Sequence, residues 1–335
     1  FRKGNVYSRE LIQFTTERLK QIMGDKGYIY ADVQPVPQPD EQTKTVELTF
    51  FSDLGNKVRL NRINIFGNKK TRDKIIRRQF LLDEGDELTT THLEASKNRI
   101  KGLGYFDPRE GVNWKLNRID EETADIDVML KEIKTGRFQF QVGYGQSGTS
   151  SNGLSGTVQF GPRNMFGKGI LGNCNITLGQ GERSFTAGLT EPWLFDKPIR
   201  IGVNGFYSNN EYEEFRKVVN TIHEQRSGGM VNLGFIAERL NYTMFDLQLG
   251  FNSLEYYTRS RDGNSKVAPE SSIAADDATK TELQTIFNDR FQSGKFGFLQ
   301  LDIGQDMRNH HLHISQGYLW NASARIGFPA FGDGR

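Results

Sequence analysis

The sequence predicts small α+β modules of strand-helix-helix-strand-strand order, followed by a transmembrane antiparallel β-barrel of which about the first nine strands are present. Three observations predict it. Up to about residue 134 helical and strand periodicities are interleaved, whereas from Gly136 onward apolar and polar residues alternate with period two and the helical pattern stops. The alternating segments run to about 8–14 residues, longer than the ~5–6 of a globular strand and matched to the ~9–11 that cross a bilayer obliquely. Aromatic residues gather near their ends (Trp193 and Phe195, Tyr256 and Tyr257, Phe328 and Phe331), where an interfacial girdle would lie.

Composition sets the outer bounds. The chain has 335 residues, of which 25% are charged, with a net charge of +2, a balance that argues against nucleic acid as a partner. Its one cysteine, Cys174, cannot form an internal disulfide. Only 36% of residues are hydrophobic, and no run of about 18 apolar residues forms a membrane helix. Barrel strands dilute hydropathy by alternating, so this leaves the membrane open. The opening FRKGNVYSRE lacks the apolar core of a signal peptide, so an exported protein is expected here in mature or truncated form.

The elements of the first half follow in order. SRELIQFTTERLKQIMGDKGY reads as a helix ending at Gly24 or Gly27, with strands near YADVQPV and KTVELTFF. VRLNRINIFGN reads as a strand closing at a Gly-Asn turn, and TRDKIIRRQFLL as a short helix started by Thr71. In TTTHLEASKNRIKGLG, Thr91 and Glu94 form a capping box, Leu93, Ile100 and Leu103 share one face, and Gly102 or Gly104 ends the helix. GVNWKL and ADIDVMLKE read as strands around a polar turn. Gly27-Tyr28 and Gly104-Tyr105 mark equivalent points, so the half reads as two tandem copies of one module. Residues 1–56 hold a partial copy without its opening strand and first helix, which suggests a cut N-terminus. Residues 57–134 hold a complete copy, and 135–335 the N-terminal half of the barrel.

In the barrel half, GRFQFQVGYGQ puts Phe138, Phe140, Val142 and Tyr144 on one parity and Gln139, Gln141, Gly143 and Gly145 on the other. Ile170, Cys174, Ile176 and Leu178 share a parity, as do Phe185, Ala187 and Leu189, then Ile199, Ile201, Val203 and Tyr207. Phe245, Leu247, Leu249 and Phe251 continue the pattern, and Tyr318, Trp320, Ala322, Ala324, Ile326 and Phe328 close it. A soluble sandwich or lipocalin-like barrel would need large apolar residues on the inward parity. It would have no reason to set Asp302 and Arg325 opposite aromatic rows on long strands.

Motifs suggestive of chemistry weigh little. GYGQSG (143–148) has the spacing of a dinucleotide fingerprint but is followed by a turn and a strand, not a helix. His310, His311 and His313 cluster in RNHHLHIS without a Cys partner, and alternation would point neighbours to opposite faces. The sequons at Asn175, Asn241 and Asn321 fall inside predicted strands, which are poor acceptors. Neither GQSGT nor GLSGT completes a nucleophile elbow. Nothing supports an enzyme, a metal site or a cofactor.

With this organisation, the chain resembles the BamA family of outer-membrane protein assembly factors, which join tandem POTRA domains to a C-terminal barrel. The resemblance rests on INIFGNKKT, EGDELT and LGYFD in the first half. In the barrel it rests on GPRNMFGKG, similar to the family's Asn-x-Phe-Gly-x-Gly hairpin at Asn164, Phe166, Gly167 and Gly169. TEPWLF adds Glu191, Pro192 and Trp193, and Asp306-x-Arg308 with Gly317 resembles the family's Asp-x-Arg turn. Ile314 stands where the family often has Pro. The family's barrel has sixteen strands, so the resemblance implies that the later strands, with their Val-Arg-Gly-Phe/Tyr loop motif, are missing here.

The resemblance implies folding and insertion of β-barrel proteins into the bacterial outer membrane, with the POTRA modules in the periplasm. Implied partners are unfolded outer-membrane proteins, accessory lipoproteins and the lipid bilayer. The modules would receive chains by strand addition at KTVELTFF, GVNWKL or VRLNRINIF. The first barrel strand, Arg137, Phe138, Gln139, Phe140, Gln141, Val142, Gly143, Tyr144, Gly145 and Gln146, would be a lateral gate. A POTRA-barrel secretion pore of the two-partner type, or a TamA-like translocation factor, is the alternative with the same strand pattern.

Overall fold

A computed structural model describes residues 4, 6–146, 152–212, 221–259, 265–273, 277–308 and 316–329. The histidine cluster, Ile314 and Phe331 lie outside the described residues. The chain divides into two compact units, residues 1–135 with Phe166–Lys168, and residues 136–165 with 169–335. No helix is long and apolar enough to cross a membrane among the described residues.

The first unit opens with α1 (Arg9–Gly24), capped by the Ser8 hydroxyl, which accepts the Leu11 N–H at 3.3 Å. The antiparallel pair β1 (Asp32–Asp40) and β2 (Thr45–Asp53) follows. Next come β3 (Arg59–Phe66), α2 (Asp73–Arg77), α3 (Thr90–Gly102), β4 (Val112–Arg118) and β5 (Thr123–Leu130). The sheet order is β3-β5-β4, with β3 parallel and β4 antiparallel to the central β5. The parallel pairing requires a long crossover, which α2 and α3 supply. Gly67 ends β3 at φ +88°, where a Cβ would collide with the Leu130 carbonyl, so the Gly-Asn turn admits no side chain there.

The packing follows from the two periodicities. Alternate residues of β5 (Ala124, Ile126, Val128) and α3 residues seven apart (Leu93, Ile100) face one another and are buried, with Leu60, Ile76 and Leu88 completing the layer. Two helix starts differ from expectation. Thr89, not Thr91, caps α3 by accepting the His92 N–H, and the Thr91 N–H that Glu94 would take in a capping box goes to Asp25 Oδ1 at 2.8 Å. Thr71 does not start α2, which begins at Asp73 behind Arg72. The buried Thr71 instead donates its N–H to Glu132 Oε1 at 2.7 Å.

The second unit is an up-and-down meander of nine strands: β6 (Arg137–Gln146), β7 (Asn152–Gly161), β8 (Leu171–Gly179), β9 (Glu182–Glu191), β10 (Ile199–Tyr212), β11 (Ile222–Ala237), β12 (Thr243–Arg259), β14 (Gly294–Asp306) and β15 (Leu319–Pro329). The two-residue β13 (Lys266–Val267) pairs with β12 off this path. Strand lengths reach 17 residues in β12. Ile170 and Tyr318 fall one residue outside their strands, held by main-chain bonds to Met165 and Met307. Asn241, expected inside a strand, sits in a left-handed turn at φ 52° between β11 and β12. A helix also interrupts the strand pattern, against expectation. This α4 (Asp277–Arg290) buries Phe287, which packs with Ile222, Ile273 and Phe291.

Register decides which face meets lipid. One cross-strand row carries Leu189, Val203, Val231, Leu249, Leu299 and Ile326, all at least 41% exposed. The rows beside it on that face hold Ile201, Leu233, Leu247 and Leu301, then Phe235, Phe245 and Ile303. On the opposite face, Arg200 pairs with Asp246, and Gln248 and Gln300 donate to Asp302 at 3.0–3.1 Å. An apolar band this wide is not stable in water, and in a bilayer it is the lipid-facing surface. Among the described residues the sheet is open, with β6 and β15 at its edges.

Two outcomes test the first unit. Ile126→Ala should cost its module about 2–5 kcal/mol, seen as accelerated amide exchange in β3 and β5. Burial pushes the Glu132 carboxyl up, and hydrogen bonds from Thr71 and Lys70 more than offset this, leaving it below the usual glutamate value. That stabilisation is complete above the unfolded value of about 4.3 and is lost as pH falls through the lowered folded value. Glu132→Gln should therefore flatten the acid limb of a melting-temperature profile without steepening any other part of it.

Candidate functional site

The candidate site is an edge and one rim of the barrel sheet. All ten residues of β6 pair with β7, from Arg137 opposite Gly161 to Gln146 opposite Asn152. On its other side β6 has no strand among the described residues. Phe138, Phe140, Val142 and Tyr144 are 55–79% exposed. Register puts Phe138 in one row with Phe160, Cys174, Ala187, Gly205, Gly229, Phe251, Gly297 and Phe328. The aromatic face of β6 is therefore the apolar face of the whole sheet, with Gln139, Gln141 and Gly143 on the polar one.

Gly143 and Gly145 are not demanded by crowding. A Cβ at Gly143 would meet only Ser155 Oγ at 3.7 Å, and one at Gly145 would meet nothing within 4 Å. Such glycines leave the strand without packing partners and weaken it locally. The weakest-packed part of β6 is thus its second half.

Three turns hold the remaining motif residues. Between β7 and β8, Gly169 donates its N–H to Asn164 Oδ1 at 2.8 Å, with Asn164, Phe166, Gly167 and Gly169 all at positive φ. After β9, Glu191 accepts the Trp193 N–H at 3.1 Å across Pro192, and Phe195 and Asp196 take positive φ. Between β14 and β15, the Asp306 carboxylate accepts from the Arg308 N–H at 3.2 Å and from its guanidinium at 2.7 and 2.6 Å. Gly317 at φ +106° approaches Met307 so closely that a Cβ would strike its carbonyl. Successive meander turns alternate between the two ends of a sheet, so these three share the end at which β6 begins. The motif residues shape that rim.

Sequence reasoning missed the opposite end. There Glu224, its side chain 3% exposed, accepts from Tyr212 and Tyr256 hydroxyls at 2.8 Å each and from Arg226 at 2.7 Å. Residues of α4 and Phe291 pack beside Tyr212 and Tyr256. The available signal was Leu283, Phe287 and Phe291 at a spacing of four. Among the described residues no group of His, Cys, Asp or Glu could hold a metal ion.

Comparison with known proteins agrees with this geometry. The POTRA model (surface antigen variable number repeat) matches residues 1–51 and 58–132, and the Omp85 superfamily domain matches 164–334. The chain belongs to the Omp85 superfamily. It is 28% identical over 249 residues to the outer membrane protein assembly factor BamA of Buchnera aphidicola, covering 74% of this chain and 39% of that one. It is 28% identical to BamA of Neisseria meningitidis over 59% of this chain and 24% of that one. The chain thus spans well under half the length of these curated relatives. BamA from Haemophilus ducreyi lacking POTRA domains 1–3 shares the fold at a TM-score of 0.72 and 23% identity, over 98% of this chain and 59% of that one. CdiB from Escherichia coli matches at 0.51 and 15%, over 97% and 54%. The chain is an outer-membrane protein with its POTRA repeats in the periplasm.

The face assignment has a chemical test. Cys174 lies between Phe160 and Ala187 in the apolar row, so a membrane-impermeant maleimide should label it slowly in intact outer membranes and rapidly after detergent extraction. Rapid labelling in intact membranes would place the apolar row in water.

Proposed function

We propose that this chain is part of a factor that folds β-barrel proteins and inserts them into the bacterial outer membrane, with β6 as its lateral gate. The observation that carries the reading is that β6, the first strand of the barrel sheet, is paired along its length to β7 but leaves Gly143 and Gly145 unpacked in its second half. A ten-residue edge strand presents roughly five N–H and five C=O groups outward, and each costs several kcal/mol if left bare in hydrocarbon. Such an edge must be covered, either by the barrel's last strand or by an arriving one. Because the second half of β6 is poorly packed, exchange between the two is easiest there. The arriving strand would pair by main-chain bonds alone, which suits substrates of many sequences.

The POTRA modules receive unfolded outer-membrane proteins and accessory lipoproteins by the same chemistry. The process is non-covalent, with no cofactor or nucleotide. Relatives at 28% identity that bear the assembly-factor name support this reading over a secretion pore or a TamA-like translocation factor. CdiB shares the fold alone.

Single cysteines at Gln139 and Gln141, in a chain carrying Cys174→Ser, test the gate. They should cross-link to a cysteine in the terminal strand of a stalled substrate barrel. If cross-links form only to the barrel's own last strand, and locking that pair leaves assembly unimpaired, β6 is a plain wall strand.

A further inference from the structure

The two POTRA modules present different strand edges. In the complete module, main-chain bonds flank β4 at both ends: Lys131 N–H to Gly111 O, and Ile119 N–H to Thr123 O, each at 3.0 Å. With the antiparallel register between them, the positions bonded to β5 are 111, 113, 115, 117 and 119, since bonded and non-bonded pairs alternate. The N–H and C=O groups of Val112, Trp114, Leu116 and Arg118 therefore point away from the sheet. Among the described residues no strand lies beyond them.

The other edge of that sheet is covered. Outside β3, Leu60 bonds Asp86 and Gly85, Val58 O accepts from Leu88, and Ile63 bonds the Glu84 and Arg77 side chains, all at 2.7–3.1 Å. Only β4 offers this module a run of free main-chain groups.

The corresponding strand of the first module is β1, DVQPVPQPD. Its Pro35, Pro37 and Pro39 lie opposite Phe50, Leu48 and Val46 of β2. Proline has no N–H, so the bonds to β2 fall on the alternate residues Gln34, Val36 and Gln38, and the prolines turn their main chain outward. The offset that carries Gly27 onto Gly104 carries these prolines onto Val112, Trp114 and Leu116. The outward positions that hold donors in β4 lack them in β1.

We propose that, of the two equivalent strands β4 and β1, β4 accepts an added strand and β1 is closed to strand addition. The occupant is an extended segment of unfolded polypeptide, apolar on one parity and polar or acidic on the other. Half-buried Trp114 and Leu116 line one side of β4, Lys115 is exposed on the other, and Arg118 lies at its end. A strand added there sets alternate side chains beside the indole and beside Lys115, which is the alternation of a barrel strand. This rests on the reading that the modules receive unfolded chains by strand addition. It adds which edge does so and what pattern it selects.

The test uses the full chain in detergent micelles and a synthetic alternating peptide of about 12 residues bearing a central photo-cross-linker. Cross-links should map to β4 and not to β1. Arg118→Pro, at an exposed position whose N–H points outward, should weaken binding about threefold to tenfold, as expected for one lost hydrogen bond. A peptide N-methylated on the parity facing β4 tests the same bonds without altering the protein and should lose the cross-link. Replacing Pro35, Pro37 and Pro39 together with Val should create new cross-links on β1. Equal cross-linking of β1 and β4 in the unaltered chain overturns the edge assignment and leaves strand addition itself standing, whereas cross-links to β4 that survive N-methylation overturn both. Cross-links to neither edge overturn both.

Discussion

A main-chain N–H in hydrocarbon has no water to bond, and the architecture of the barrel sheet follows from that constraint. Nine strands joined in sequence order satisfy their neighbours with antiparallel ladders and confine the unmet groups to two edges. Period-two alternation then sorts side chains, so that rows such as Leu189 to Ile326 collect on one face and Asp246, Gln248 and Asp302 on the other. The same constraint explains why an edge is worth using: an unpaired strand in lipid is a standing demand for another strand. In the periplasm the demand is weaker, because water competes, and there prolines can switch it off position by position.

The two ends of the sheet are built differently. At the end where β6 begins, the starts of the connections are fixed by side chains bonding their own neighbourhood, as Asn164 does with Gly169 and Asp306 with Arg308. At the other end β10, β11 and β12 extend past the length a bilayer requires. Their ends are closed by Glu224 and its tyrosines and by the apolar contacts of α4. The connection that carries α4 has a small core of its own.

Much of this was legible from the residues because each periodicity has a geometric cause. Alternation at Phe138 to Tyr144 could be read because a strand's side chains point to opposite faces. The module order could be read from Leu93 and Ile100 on one helical face and from the repeated Gly-Tyr. Register could not, since nothing within one strand states which neighbour residue it will oppose, and so the row from Phe138 to Phe328 emerged only from the structure. The capping box at Thr91 and Glu94 did not form, since Thr89 caps the helix and Asp25, remote in sequence, takes the Thr91 N–H. The helix α4 escaped because, among the described residues, it buries a single side chain, Phe287, and most of its other positions are polar. The turn motifs were visible as strings, but their bonds were not.

The glycines of the sheet show how one residue type can mean opposite things. In the middle of the wall, Phe298 lies across Gly250 and Phe328 across Gly297, while Asn204 reaches over Gly188. These glycines are seats already taken by a neighbour's side chain, and they fasten adjacent strands together much as a mortise holds a tenon. Gly143 and Gly145 are seats that nothing occupies. A strand is fastened where such seats are filled and loosened where they stand open, and β6 has two open ones within three residues. Deformation imposed on β6 would therefore gather between Gly143 and Gly145 rather than spread evenly along the strand.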